Sequence, residues 1–184
     1  MSTQLTSCLG RFSYFYGLKP RKNSEDGTES YGTAFLFSKS ETVFKAQLDK
    51  AYEDAKEEGK LTKWGGKIPP NIRPIVKDGD KDYPDDPTYK GMWYINANAK
   101  ITKPPGIVDR NRMPLYDDSQ AYSGMYGRIS ISVYPFKVPS NQGVGIGFRG
   151  AQKWRDGEPL GSVFVADREF ADDIIELDDP GSLD

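Results

Sequence analysis

The clearest pattern in the chain is YGRISISVYPFKV, residues 126–138, where Ile129, Ile131 and Val133 alternate with Arg128, Ser130, Ser132 and Tyr134. Successive side chains of a strand point to opposite faces, so this stretch predicts a strand with one buried and one wet face. GVGIGFRGAQKW predicts its hairpin partner across the VPSNQG turn, with Val144, Ile146 and Phe148 inward and Gly143, Gly145 and Gly147 outward. Outward glycines leave the backbone bare, which permits strong curvature or close approach by a ligand.

Further strands are predicted upstream. GRFSYFYGL places Phe12, Tyr14 and Tyr16 on one face and Arg11, Ser13 and Phe15 on the other. SYGTAFLFS returns after a polar loop, GMWYINANAKI enters a basic loop, and GSVFVA makes a short closing strand. One helix stands out, in SKSETVFKAQLDKAYEDAKEEGK. Phe44, Leu48, Ala51, Tyr52 and Ala55 recur at helical period, Ser38 and Glu41 have capping-box spacing, and Gly59 is placed to end it. The stretch from Thr62 to Tyr89 is rich in proline and acidic pairs and reads as a long irregular excursion. Strands, turn-rich connections and a single helix predict a mainly β fold, a small β-barrel with one helix.

Charge changes the picture. The 25 basic and 27 acidic side chains of the 184 residues conceal a split. Residues 167–184 hold eight acids and one Arg, a balance of −7, which leaves +5 on residues 1–166. The chain therefore divides into a cationic domain, 1–166, and an acidic C-terminal tail, 167–184. The tail's irregular acid spacing and its Pro180-Gly181 predict disorder. Such asymmetry points to polyelectrolyte partners.

The residue inventory excludes much chemistry. Without histidine there is no Ser–His–Asp or Cys–His machinery and no histidine-liganded zinc, and Cys8 alone builds neither a zinc knuckle nor an internal disulfide. DGDKDYPDD begins like a calcium loop but has Tyr83 and Tyr89 where glycine and glutamate are required. GIGFRG matches a dinucleotide-binding spacing without the strand before it or the helix after it. The expectation is a protein that is not an enzyme and has no cofactor and no metal. The N-terminus lacks a signal-peptide pattern and no apolar run approaches the roughly 18 residues that cross a bilayer, so a cytoplasmic location and no membrane partner are expected.

What remains is aromatic strands interleaved with cations. Single-stranded nucleic acid is held in this manner, phosphates following cations while bases stack on rings at about 1–3 kcal/mol each. The candidate residues are Tyr14, Tyr16, Lys19, Arg21 and Lys22 near the first strand, and Trp93 and Tyr94 in the middle. Lys100, Lys103, Arg110 and Arg112 follow in the basic loop, then Arg128, Tyr134, Lys137, Arg149 and Trp154 on the last hairpin. About half are expected to be structural, Trp93 and Trp154 foremost. Asp172, Asp173, Glu176, Asp178 and Asp179 are the candidate tail residues, placed to compete with nucleic acid for the cationic surface.

SVYPFKV with the glycine-rich strand after it, PPGIVD, MPL, AYSGMYGR, QKWRDGEPLG and the acidic end together resemble bacteriophage single-stranded-DNA-binding proteins with one OB-fold and an acidic C-terminal tail. The resemblance covers most of the chain. It implies an OB-fold with long loops, acting without sequence preference in phage DNA replication and recombination inside the infected bacterial host. It also implies a tail that contacts polymerase and helicase partners, and self-association on DNA is open. Family tails typically end in an aromatic residue, whereas this chain ends SLD and its last aromatic is Phe170. The alternatives are a phage accessory module whose OB-like barrel binds protein, and an oligosaccharide-binding barrel.

Overall fold

The alternating stretch forms β7 (Tyr126–Val138) and folds back as β8 (Asn141–Arg155), joined only by Pro139 and Ser140. In the computed structural model, which describes residues 2–160, Ile129, Ile131 and Val133 are buried opposite Ala151, Phe148 and Ile146. β2 (Gly10–Lys22), β3 (Glu29–Ser38) and β5 (Met92–Lys100) complete the wall. β2 pairs with β7 and β3, and β3 with β5, all antiparallel; β5 meets β8 in parallel, and β8 returns to β7. This closed, Greek-key, five-stranded barrel is an OB-fold. The parallel seam is thin, a single registered pair, Asn98 with Gly147, against nine between β3 and β5.

The expected helix is α1 (Thr42–Thr62), lying between β3 and β5 in chain order. Its apolar stripe, Phe44, Leu48, Ala51 and Ala55, is buried, and Phe44 meets Phe37 edge-on at 4.9 Å. Removing such a ring costs about 3–5 kcal/mol. The helix ends differ from expectation. Glu41 is the N-cap and makes no side-chain cap bond, because the Ser38 hydroxyl is engaged with Ser40 instead. The helix runs past Gly59, where a Cβ would stand 2.8 Å from Pro135; the glycine is needed for close packing and not for stopping the helix.

Two short strands were not foreseen: β1 (Thr3–Thr6), which edges β7, and β6 (Gly106–Val108), which edges β8. The excursion after α1 contains β4 (Lys77–Asp78) and a one-turn helix, α2 (Gly79–Asp82). Lys39 holds it down, donating to Asp78 at 2.7 Å and Asp80 at 2.8 Å. Asp78 and Asp80 of the calcium-like stretch are thus engaged within the protein. Among the described residues no three acidic or cysteine side chains gather as a metal group, and no helix is long and apolar enough to cross a membrane. GSVFVA and the tail residues Asp172, Asp173, Glu176, Asp178 and Asp179 lie outside the described residues.

β2 departs most from simple alternation. Phe12 and Ser13 are both buried, Tyr14 and Tyr16 are exposed, and Phe15 packs against the core. The register with β3 slips between Ser13 and Tyr16, and Tyr14 sits at φ 47°, in the left-handed region. A bulge of this kind re-aims side chains. Here it turns Tyr14 outward while Phe12 and Phe15 both reach the interior, so the expected face partnership of Phe12 with the two tyrosines is broken.

Candidate nucleic-acid interface

The outer face of β3 and β5 is divided in two. One half is roofed by the segment after α1: Tyr83 stacks on Tyr89 with centroids 4.2 Å apart, and both meet Tyr94 edge-on over Ala34 and Leu36. The Tyr94 hydroxyl donates to Asp82 at 2.7 Å. Burial, then the bond to Asp82, pushes the Tyr94 hydroxyl well above the usual tyrosine range. Burial likewise pushes Tyr89 up to about 12.

The other half is an open cleft of about 380 Å³. Tyr83 forms its wall on the roofed side. Gly32, Asn96 and Asn98 form its floor, and Tyr14, Tyr16 and Arg21 the opposite bank. Tyr14 is 57% and Tyr16 37% exposed, so both rings offer a free face. The Arg21 guanidinium lies 5.9 Å from the Tyr16 centroid and has no carboxylate partner among the described residues. Left-handed backbone at a non-glycine residue is a strained conformation, and such strain gathers at functional sites.

Gly32 is required by the floor. It faces Asn98 across the ladder, and a Cβ there would stand 2.7 Å from the Asn98 side-chain oxygen. Asn98 and Ser30 also border a second hollow of about 360 Å³ with Lys100, Ile101 and Tyr134. The two hollows share Ser30 and Asn98 and make one track from β2 across β3 and β5 to Tyr134 of β7. Tyr134 lies over the bare outer face of Gly145 and is 36% exposed. Gly145 and Gly147 of β8 therefore lie against a tyrosine ring of the neighbouring strand, whereas Gly143, expected outward, is buried against Phe136.

Tyr14, Tyr16, Arg21, Lys100 and Tyr134 are thus brought together. Lys22 and Lys103 sit exposed at the strand ends beside them. Lys19 points elsewhere, in an ion pair with Asp118 at 2.6 Å. Tyr94 is buried under the roof, and the ring of Trp93 is half-buried, with the Lys39 ammonium at 4.7 Å and that of Lys45 at 5.2 Å. Arg110 covers Trp154 at 4.4 Å, on the stretch where Arg128 donates to the Gln152 side-chain oxygen at 2.7 Å and Arg112 borders a separate hollow. Arg149 is exposed on β8 and Lys137 lies by the hairpin tip. Sequence reasoning missed Gly32, Tyr83, Asn96 and Asn98. The NANAK alternation, polar residues outward between Ile95, Ala97 and Ala99, was the available signal for the two amides.

Arg11 bears on the site through the chain's later course. It donates to the Gly124 carbonyl at 3.0 Å and the Glu158 carbonyl at 2.7 Å, strapping residues 157–160 against β2. The Leu160 amide donates to the Ser123 carbonyl at 2.9 Å, and the Ser123 hydroxyl accepts from the Phe15 amide at 2.8 Å. Leu160, the last described residue, is therefore held through Ser123 at Phe15, the neighbour of Tyr14 in β2.

The sequence matches, over residues 4–180, the family described as Enterobacter phage Enc34, ssDNA-binding protein. A putative protein p50 of Acyrthosiphon pisum secondary endosymbiont phage 1 is 30% identical over 166 residues, 85% of each chain. In structure the chain resembles the single-stranded DNA-binding protein of bacteriophage Enc34 in complex with ssDNA, with TM-score 0.75, 24% identity, and 86% and 89% of the two chains covered. It also resembles gp2.5, a single-stranded DNA-binding protein of bacteriophage T7, with TM-score 0.62, 15% identity, and 96% and 97% covered.

Proposed function

The chain belongs to the family of the phage Enc34 single-stranded-DNA-binding protein, and we propose that it binds single-stranded DNA, without sequence preference, along the track from Tyr14 to Tyr134. The observation that carries this reading is the pair of exposed tyrosines, Tyr14 and Tyr16, held beside the unpaired Arg21 on a cleft floored by two amides. Every base has a π-face, so stacking on Tyr14, Tyr16 and Tyr134 tolerates any sequence. Arg21, Lys22, Lys100 and Lys103 follow the phosphates. The role is binding and not catalysis: the DNA is coated during phage replication and recombination in the cytoplasm of the infected host.

Residues 1–166 act as the DNA-binding domain and residues 167–184 as a tail that limits it. The tail's −7 faces +5 on the body, and Leu160, the last described residue, is held through Ser123 at Phe15, the neighbour of Tyr14. A tethered anion competes at high effective concentration. Displaced by DNA, the same segment is free to reach replication proteins. The test is fluorescence anisotropy with a dT oligomer of about 30 nucleotides at two salt concentrations. Affinity falling steeply with salt supports the reading, since each neutralised phosphate contributes about −0.7 to the log–log slope. Absence of binding, or salt-independent binding, overturns it.

A further inference from the structure

The outer face of the β7–β8 hairpin continues past Tyr134, where the track ends. Beyond it the outward positions of the two strands pair Ser132 with Gly147 and Ser130 with Gly150. Gln4 and Thr6 of β1 extend these rows on one side, and Gly106 of β6 on the other. Nothing stands within 4 Å of the place a Gly106 Cβ would take, and a Cβ on Gly147 would collide with the Ser132 hydroxyl. A floor of hydroxyls and bare backbone thus leads away from the tyrosine, open to close approach.

The floor ends at arginines. A hollow of about 250 Å³ there is lined by Arg112 and Arg128, with Thr6, Gly106, Gly150 and Gln152 around them. Gln152 organises the rim. Its side-chain oxygen accepts from Arg128 Nε at 3.2 Å and Nη2 at 2.7 Å, which orients the guanidinium and leaves it donors to spare. Its nitrogen donates to the Arg110 carbonyl at 3.3 Å, and the Arg110 guanidinium lies over the Trp154 ring at 4.4 Å. None of the three arginines has a carboxylate partner among the described residues. From Gly106 to Tyr116 the one acid is Asp109, and its Oδ1 accepts from the Asn111 and Met113 amides at 2.8 and 2.9 Å. Guanidinium forks match phosphate oxygens two at a time, and bases stack on rings and on arginine planes. The pairing of cation and ring found in the cleft is therefore repeated on another flank of the barrel.

We propose that this hollow is a second seat for the same single strand of DNA. The strand leaves the cleft at Tyr134, follows the outer face of β7 and β8, and sets its next phosphates on Arg112 and Arg128 with a base against Arg110 on Trp154. This rests on the DNA reading above and extends its footprint. Continuity argues for one strand and against a separate ligand. Tyr134 and Arg128 are six residues apart on one strand, about 20 Å. No acidic side chain stands on the outward rows between them. The cleft lies on the β2–β3–β5 face, so the bound strand turns round the barrel to reach the arginines. One OB-fold holds about 4–16 nucleotides, and a second seat places this chain toward the longer footprints.

The test is the affinity of full-length wild type and the double variant Arg112→Asn/Arg128→Gln for a length series of dT oligomers at low salt. Asparagine suits position 112, where φ is 67° and the left-handed region must be kept. The ratio of the two Kd values should be near one for oligomers of about 4–6 nucleotides, which the cleft alone holds. It should rise to about fivefold or more at about 30 nucleotides, where the salt slope of the variant should fall by about 1.4, the share of two phosphates. Equal affinities at every length overturn the proposal and leave the arginines to an acidic protein. A loss of the same size at every length also overturns it, because the arginines would then serve the cleft or the fold. Hydrogen exchange on wild type needs no substitution and so stands even if the variant fails to fold. Segments 106–113 and 150–154 should gain protection with the long oligomer and none with the short one; protection by both, or by neither, overturns the proposal. A wild type that binds no oligomer at any length sinks the DNA reading and this inference with it, whereas binding with a length-independent ratio sinks this inference alone.

Discussion

Tyr134 lies so close over Gly145 that a Cβ on the glycine would stand 3.0 Å from the tyrosine Cζ. Strand β7 thus supplies the ring and β8 the bare backbone beneath it. Burial raises the Tyr134 hydroxyl above the ordinary tyrosine range, as expected for a ring half settled against the protein. Tyr134→Ala should weaken dT binding by about 1–3 kcal/mol, the worth of one stacked base, and leave the melting temperature nearly unchanged. Gly145→Val should reproduce much of that loss by lifting the ring from its seat. Anisotropy titrations and calorimetric melts on both variants check this; a Tyr134→Ala chain that fails to fold would assign the ring to the core.

Arg21 and Lys100 flank Ser30 from β2 and β5, and neither has a carboxylate partner among the described residues. Arg21→Ala and Lys100→Ala should each lower the slope of log affinity against log salt by about 0.7, uniformly across base compositions. Lys19→Ala should leave the slope unchanged, because that ammonium is already held by Asp118. Titrations between low and moderate salt distinguish the three.

Deleting residues 171–184 should tighten binding to single strands several-fold at low salt, and the gain should shrink as screening weakens the tail's hold on the body. Competition assays with full-length and truncated protein measure this directly. Equal affinities at every salt concentration would leave the segment without a role at the cleft.

The roof over the tyrosines depends on Lys39. Its hydrogen bonds hold Asp78 and Asp80 below the ordinary carboxylate value of 3.8 and raise the ammonium above its own 10.5. Depressed carboxylates contribute stability that is present above 3.8 and lost as pH falls through their lower folded values. The raised ammonium contributes stability that is present below 10.5 and lost as pH rises through its higher folded value. Lys39→Met should therefore melt below wild type between these limits, and the gap should close at either extreme. Melting curves across pH check the window.

The legible parts of this fold are those where one rule dominates. Ile129, Ile131 and Val133, like Val144, Ile146 and Phe148, face inward as their alternation requires, because β7 and β8 each have one wet side. Phe44, Leu48, Ala51 and Ala55 announce α1 for the same reason at helical period. Tyr14 shows where local pattern fails. Its left-handed backbone sits at the register slip between Ser13 and Tyr16, which no residue type announces, so period-two counting paired it with Phe12. Ser38 and Gly59 fail as helix signals because other contacts claim both, a local bond to Ser40 the hydroxyl and packing against Trp64 and Pro135 the glycine. Tyr14, Tyr16, Arg21, Lys100 and Tyr134 were readable as candidates, but their meeting was not, since four strands must close before they share a surface. Asn96 and Asn98 were passed over because neutral amides carry neither the charge nor the ring that marks a nucleic-acid site.

The single registered pair between Asn98 and Gly147 has a consequence for the barrel's breathing. Every other junction in the wall is a ladder of at least two pairs, so local opening should begin here and travel along β5 and β8. The track crosses this junction, with Asn98 on one side and Tyr134 on the other. A strand lying along it would act as a staple across this thinly sewn edge. Amide protons flanking Asn98 and Gly147 should then exchange fastest in the free wall and slow the most when the staple is in place.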